Sequence, residues 1–82
     1  MYDLGNIAVM GSGSWATAIA KMLLEKVEHL HWYIRRQDAI DDFVRTEHNP
    51  SYLTSVHFDT SRITFSTDIN EIVRSCRTLV FV

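Results

Sequence analysis

"VMGSGSWATAIAKML", residues 9–23, sets two of the chain's three glycines one residue apart, between an apolar run and a helical pattern. Upstream, "NIAVM" (6–10) is a short apolar run ending at Gly11, the pattern of a buried strand. Downstream of Ser14 the period changes. Trp15, Ile19, Met22, Leu23 and Val27 follow i, i+4, i+7, i+8, i+12 spacing, which predicts a helix with one buried face. A strand that passes through two glycines into a helix makes either a turn for packing alone or a loop where a phosphate meets bare backbone.

The rest of the chain repeats the alternation. "EHLHWYIRR" (28–36) carries Leu30, Trp32, Tyr33 and Ile34, residues suited to a pleated, half-buried surface. "QDAIDDFVRTE" (37–47) spaces Ala39, Ile40, Phe43 and Val44 as a helix does. Residues 48–61 hold the one proline, Pro50, and have no clear period, so they read as a long connection. "RITFS" (62–66) is a third strand. Asp68, with Glu71 three residues on, has the form of a capping box at the start of a helix running to about Ser75. "TLVFV" then reads as a fourth strand, buried on both faces. The order β-α-β-α-β-α-β implies an α/β fold with a parallel sheet and right-handed crossovers, more than half of a Rossmann-type doubly wound fold. A chain that stops on such a strand suggests the N-terminal piece of a longer protein, with the rest of the dinucleotide-binding domain beyond residue 82.

Within that frame Gly11-Ser12-Gly13-Ser14-Trp15-Ala16 fits the dinucleotide fingerprint G-x-G-x-x-G/A, in the first strand-to-helix turn. Gly11 permits the tight turn, Gly13 leaves room for a diphosphate against the backbone, and Ala16 keeps the helix close to the strand. The helix start adds free amides and partial positive charge. An NAD-selective site usually carries an acid at the end of the second strand, about 20 residues past the loop. Here that strand ends in Arg35 and Arg36. Guanidinium groups grip a 2′-phosphate well, so the expected cofactor is NADP(H), with NAD(H) as the second choice.

Composition narrows the classes further. A net charge of −2, from 8 basic and 10 acidic residues, gives no polyanion-binding surface and argues against a nucleic-acid partner. No apolar run approaches the roughly 20 residues of a membrane span, and "MYDLGN" has no signal-peptide core, so the expectation is a cytoplasmic protein. The one cysteine, Cys76, falls in a helical stripe with Ile69, Ile72 and Val73 and reads as a buried small hydrophobe. His29 and His31 have no third ligand at a fitting spacing, so no metal is expected. His48 and His57 read as exposed, Asp41 and Asp42 as a solvated helix face. Ser14 does not sit in a nucleophile elbow.

Taken together, "GSGSWATAIAKML", "HWYIRR", "HNPSYL" (48–53), "ITFSTDINEIV" and "LVFV" resemble the N-terminal part of bacterial NAD(P)-dependent glycerol-3-phosphate dehydrogenase, in order and over nearly the whole chain. The resemblance implies reversible reduction of dihydroxyacetone phosphate to sn-glycerol 3-phosphate, the entry to glycerophospholipid synthesis. It implies that Ser14 and Trp15 contact the cofactor, with one or both of Arg35 and Arg36. Many relatives have glycine where this chain has Ala16. The family's catalytic lysine lies beyond residue 82 and is matched by neither Lys21 nor Lys26, so the 82 residues alone are expected to be inactive. A homodimer is compatible with this reading. Two other readings share the same features: the cofactor domain of a hydroxyacyl or 6-phosphogluconate type dehydrogenase, and a nucleotide-sensing module without catalysis.

Overall fold

The computed structural model describes residues 6–11, 13–47 and 57–82, with every side chain among them except that of Ser14. Strands β1 (Ile7–Met10), β2 (Leu30–Tyr33), β3 (Ile63–Ser66) and β4 (Thr78–Phe81) alternate with helices α1 (Ser14–Leu24), α2 (Gln37–Thr46) and α3 (Ile69–Ser75). A short 3₁₀ turn, Thr60–Arg62, leads into β3, so Arg62 belongs to that turn and not to the strand.

All the pairings are parallel, and the strand order is β3-β2-β1-β4. The chain therefore steps outward from β1 to β3 and then crosses back to the far side of β1. Successive strand residues face opposite sides of the sheet, which divides the core in two. Ile7, Val9, Leu30, Trp32 and Ile63 join α1 and α2 on one face, while Ala8 and Met10 join Ile72 of α3 on the other. The reversal of direction requires this: right-handed crossovers of opposite travel lay their helices on opposite faces.

The first face is the better filled. Trp32 is fully buried, with ring centroids 5.1 Å from Phe43, 5.6 Å from Phe58 and 5.9 Å from Phe65. Aromatic pairs of this kind each contribute about 0.5–1.5 kcal/mol beyond area burial. Phe58 lies in the connection that has no sequence period, yet it completes the cluster. Its amide donates to the Glu47 carbonyl at 2.8 Å.

Three expectations from the sequence need correction. The buried stripe of α1 runs through Ala16, Ala20 and Leu24, whereas Trp15 is 76% exposed and Met22 is 55% exposed. Small residues take the first turns of that face because they let the helix axis come close to the sheet, while Leu23 and Val27 of the expected stripe do pack against the core. β4 is not buried on both faces: it is an edge strand, Leu79 and Val80 are half-buried, and Phe81 is 72% exposed. α3 is only seven residues long, so of its stripe Ile72 alone is buried, and Ile69 and Val73 are exposed. Cys76 follows the helix as its C-cap and is half-buried against the second cluster, where burial pushes its thiol up.

Candidate functional site at the carboxyl end of β1

The strand order reverses at β1, between β2 and β4, and the glycine turn leaves the sheet at that point. Open α/β sheets take ligands at this position, outside the carboxyl ends of the strands.

The two described glycines of the turn differ in what they do. Gly11 has φ +128, a conformation that side chains with a Cβ rarely adopt. Its amide donates to the Tyr33 carbonyl at 3.1 Å, and its carbonyl accepts from the indole N–H of Trp32. The turn is thus fastened to β2 through both backbone groups of Gly11. Gly13 has ordinary backbone angles, and a Cβ built there meets no atom within 4 Å. Among the described residues nothing demands glycine at 13. What the missing side chain provides is open approach from outside.

Gly13 is also the N-cap of α1. It supplies no side chain to the first-turn amides, and no acidic residue stands in that turn. Its carbonyl accepts from both the amide of Thr17 (3.0 Å) and the Thr17 hydroxyl (2.9 Å), which squares the helix start on the turn. The opposite end of α1 is closed: Arg62 donates to the carbonyls of Leu24, Val27 and Glu28. The helix therefore offers its positive pole to the strand end with no side-chain cap from Gly13 and no acid in its first turn. An anion that approaches over Gly13 fits this arrangement.

Ala16 is fully buried against the sheet, as its place in the fingerprint requires. Trp15 stands exposed in the first turn. Ser12 lies outside the described residues, as do "HNPSYL" and His48, and for Ser14 only its place as the first residue of α1 is described.

Both arginines are exposed just past β2, but they are not equivalent. Arg36, the N-cap of α2, donates through Nε to Asp38 Oδ1 at 3.1 Å and through Nη2 to Asp38 Oδ2. Each partner holds the other in its charged form: the hydrogen bond pushes the Asp38 carboxyl down and the Arg36 guanidinium up. The Arg35 side chain has no such partner among the described residues. Sequence spacing missed this inequality; the signal was an acid two positions past an arginine at a helix start. It also missed Trp32 as the fastener of the turn. The clue there was that a fully buried tryptophan needs an acceptor for its N–H.

The other titratable residues lie elsewhere. His57 is exposed and pairs with Glu47, Asp41 accepts from Gln37, and Asp42 pairs with Arg45. His29 shares a hydrogen bond with the Thr64 hydroxyl at 2.6 Å and packs edge-on against His31. Burial, followed by the His29 charge, lowers the pKa of His31. No helix among the described residues is long and apolar enough to cross a membrane.

A parallel four-stranded sheet with helices on both faces and a glycine turn at its point of reversal defines a Rossmann-type α/β protein. Residues 6–82 match the model for the N-terminus of NAD-dependent glycerol-3-phosphate dehydrogenase, and the chain belongs to that family. Curated relatives bear the name glycerol-3-phosphate dehydrogenase [NAD(P)+]. That of Latilactobacillus sakei is 30% identical over 77 residues, covering 94% of this chain and 22% of its own. That of Corynebacterium aurimucosum is 31% identical over 78 residues, covering 95% and 23%. That of Nitratidesulfovibrio vulgaris is 39% identical over 51 residues, covering 62% and 16%. The chain thus spans less than a quarter of the length of these relatives. A crystal structure of glycerol-3-phosphate dehydrogenase from Coxiella burnetii shares the fold, with a TM-score of 0.79 over 94% of this chain and 23% of that one, at 23% identity.

Proposed function

We propose that this chain is the NAD(P)(H)-binding portion of a glycerol-3-phosphate dehydrogenase, which reversibly reduces dihydroxyacetone phosphate to sn-glycerol 3-phosphate. The observation that carries the cofactor reading is the start of α1, where Gly13 supplies no side-chain cap, the first turn holds no acid, and a Cβ at Gly13 would meet open space among the described residues. In this reading Gly11, Ser12, Gly13 and the amides of Ser14, Trp15 and Ala16 surround the diphosphate. Trp32 and Tyr33 keep the turn in place through their bonds to Gly11. The nicotinamide, when bound, supplies the hydride. The rest of the dinucleotide domain, the substrate domain and the catalytic lysine come from sequence other than these 82 residues, so the segment alone is inactive. Family membership favours this reading over the hydroxyacyl and 6-phosphogluconate types. A cytoplasmic setting and a homodimer are compatible with it.

The arginines after β2 favour NADPH, and the unpaired Arg35 is the better placed to take a 2′-phosphate. Titration of NADPH and NADH into wild type, Arg35→Asp and Arg36→Asp tests this. NADPH is expected to bind at least as tightly as NADH, with Arg35→Asp weakening NADPH by about tenfold or more, the size of a lost charge-assisted contact made repulsive. A preference for NADH that neither change alters refutes it. Turnover of dihydroxyacetone phosphate by NADPH in the full-length protein separates the enzyme from a nucleotide sensor.

A further inference from the structure

We infer that Asp38 is a specificity-determining residue: by holding Arg36 in a two-bond pair, it leaves Arg35 as the guanidinium open to a 2′-phosphate and keeps the site usable by NADH as well as NADPH. The inference rests on the cofactor reading above. Its basis is the inequality of two neighbouring arginines. Arg36 and Asp38 are two positions apart where α2 begins, so the helix start presets their separation and little side-chain freedom is lost in pairing. The carboxylate occupies the Nε–Nη2 edge of the Arg36 guanidinium, so a phosphate could approach it only at the Nη1–Nη2 edge, beside a fixed negative charge. An incoming dianion must share Arg36 with a fixed negative charge, or displace it. A ribose 2′-hydroxyl carries no charge, and a carboxylate beside it is a ready acceptor. The same side chain therefore opposes the phosphorylated cofactor and tolerates the other.

The pair is well exposed, with side chains 69% and 65% accessible, so the expected effect is moderate. Kd values for NADPH and NADH are measured by calorimetry on the full-length protein, for wild type, D38N, R36Q and the double variant, at low and moderate salt. D38N is expected to raise the NADPH-to-NADH affinity ratio by about five- to tenfold, the size of one exposed charge a few ångströms away. The rise is expected to shrink with salt and to vanish in the R36Q background. A loss of fold or of turn geometry would weaken both cofactors alike and leave the ratio where it was. A ratio that stays unchanged or falls in D38N, or that rises equally without Arg36, overturns the role of Asp38 alone. A wild-type chain that binds neither dinucleotide overturns the cofactor reading, and this inference with it.

Discussion

Helices α1 and α3 both start just past the carboxyl end of a strand, yet their first turns are finished in opposite ways. At α3 the Asp68 carboxylate accepts from the amides of Asn70 (2.9 Å) and Glu71 (3.4 Å), and Glu71 adds a second negative charge to the turn. At α1 the corresponding position is Gly13, with no side chain and no acid following. An aspartate cap stabilises a helix by about 1 kcal/mol, and glycine comes within a few tenths of that at the same position. Stability alone therefore does not force the choice. A helix start that serves only the fold can be completed from within the chain. One that takes an outside anion has to be left incomplete.

Making α1 resemble α3 is the sharpest way to break the contrast. Gly13→Asp places a carboxylate where no atom of the described residues obstructs its Cβ. Dinucleotide affinity is expected to fall on the order of 100-fold, because the new side chain caps the amides and repels phosphate. The unfolding midpoint should stay level or rise. Unaltered affinity measured by calorimetry would show that the bare turn is not where the diphosphate sits.

Trp32→Phe acts on the turn from β2. It removes the N–H that Gly11 accepts while keeping most of the aromatic packing, so chemical unfolding should show a loss of about 1–2 kcal/mol. Cofactor affinity should weaken with it. A variant as stable as wild type would mean that the turn stands without its fastener.

Asp68→Ala is the converse of the glycine change. It is expected to cost about 1 kcal/mol, or roughly 4–8 °C in melting temperature for a domain of this size. Cofactor affinity should not move. A matching loss of affinity would join two helix starts that the geometry keeps apart.

The smallest effect concerns the sheet face that α3 shares, where His31 lies beside Ala8. Its pKa is lowered in the folded chain from the usual 6.5, by burial first and the His29 charge second. The unfolded chain then binds the proton more readily than the folded one, so this residue's contribution is complete above about pH 7 and declines as pH falls through 6.5 and below. Urea unfolding at about pH 7.5 and 5.5 should show a shallower decline in His31→Gln than in wild type. Equal slopes would assign the acid sensitivity to other groups.

Much of the fold was legible because the alternation of periods is coarse and repeated. Every strand and helix expected from "NIAVM", "ITFS" and the Asp68–Glu71 box is present, with the Asp68 cap made as its spacing implies. The errors share one physical source. Hydrophobic periodicity weighs large side chains, whereas close packing of α1 on the sheet selects small ones, so the fingerprint names Ala16 but the periodicity passes over Ala20 and points to Trp15 and Met22, which are exposed. For β4 the apolar run was legible but its place at the sheet edge was not, since strand order is a long-range property. For the candidate site, spacing alone named the fingerprint residues and both arginines as candidates. The pairing that makes Arg36 differ from Arg35, and the indole that holds Gly11, could not be named that way, because each depends on where a side chain ends in space.

The pairing of β1 with β4 has a consequence for synthesis. Ile7 and Thr78 are partners, yet 71 positions separate them along the chain. During translation the first strand emerges early, can recruit β2 once about thirty residues are out, and then waits with one lateral edge open. Asn6 shares that delay, since its carbonyl accepts from the Arg77 and Thr78 amides and its side-chain amide donates to the Ser75 carbonyl. The nascent chain thus carries an apolar ribbon in need of shelter at the ribosome until β4 arrives, and a slow or stalled codon run before position 78 would prolong that exposure.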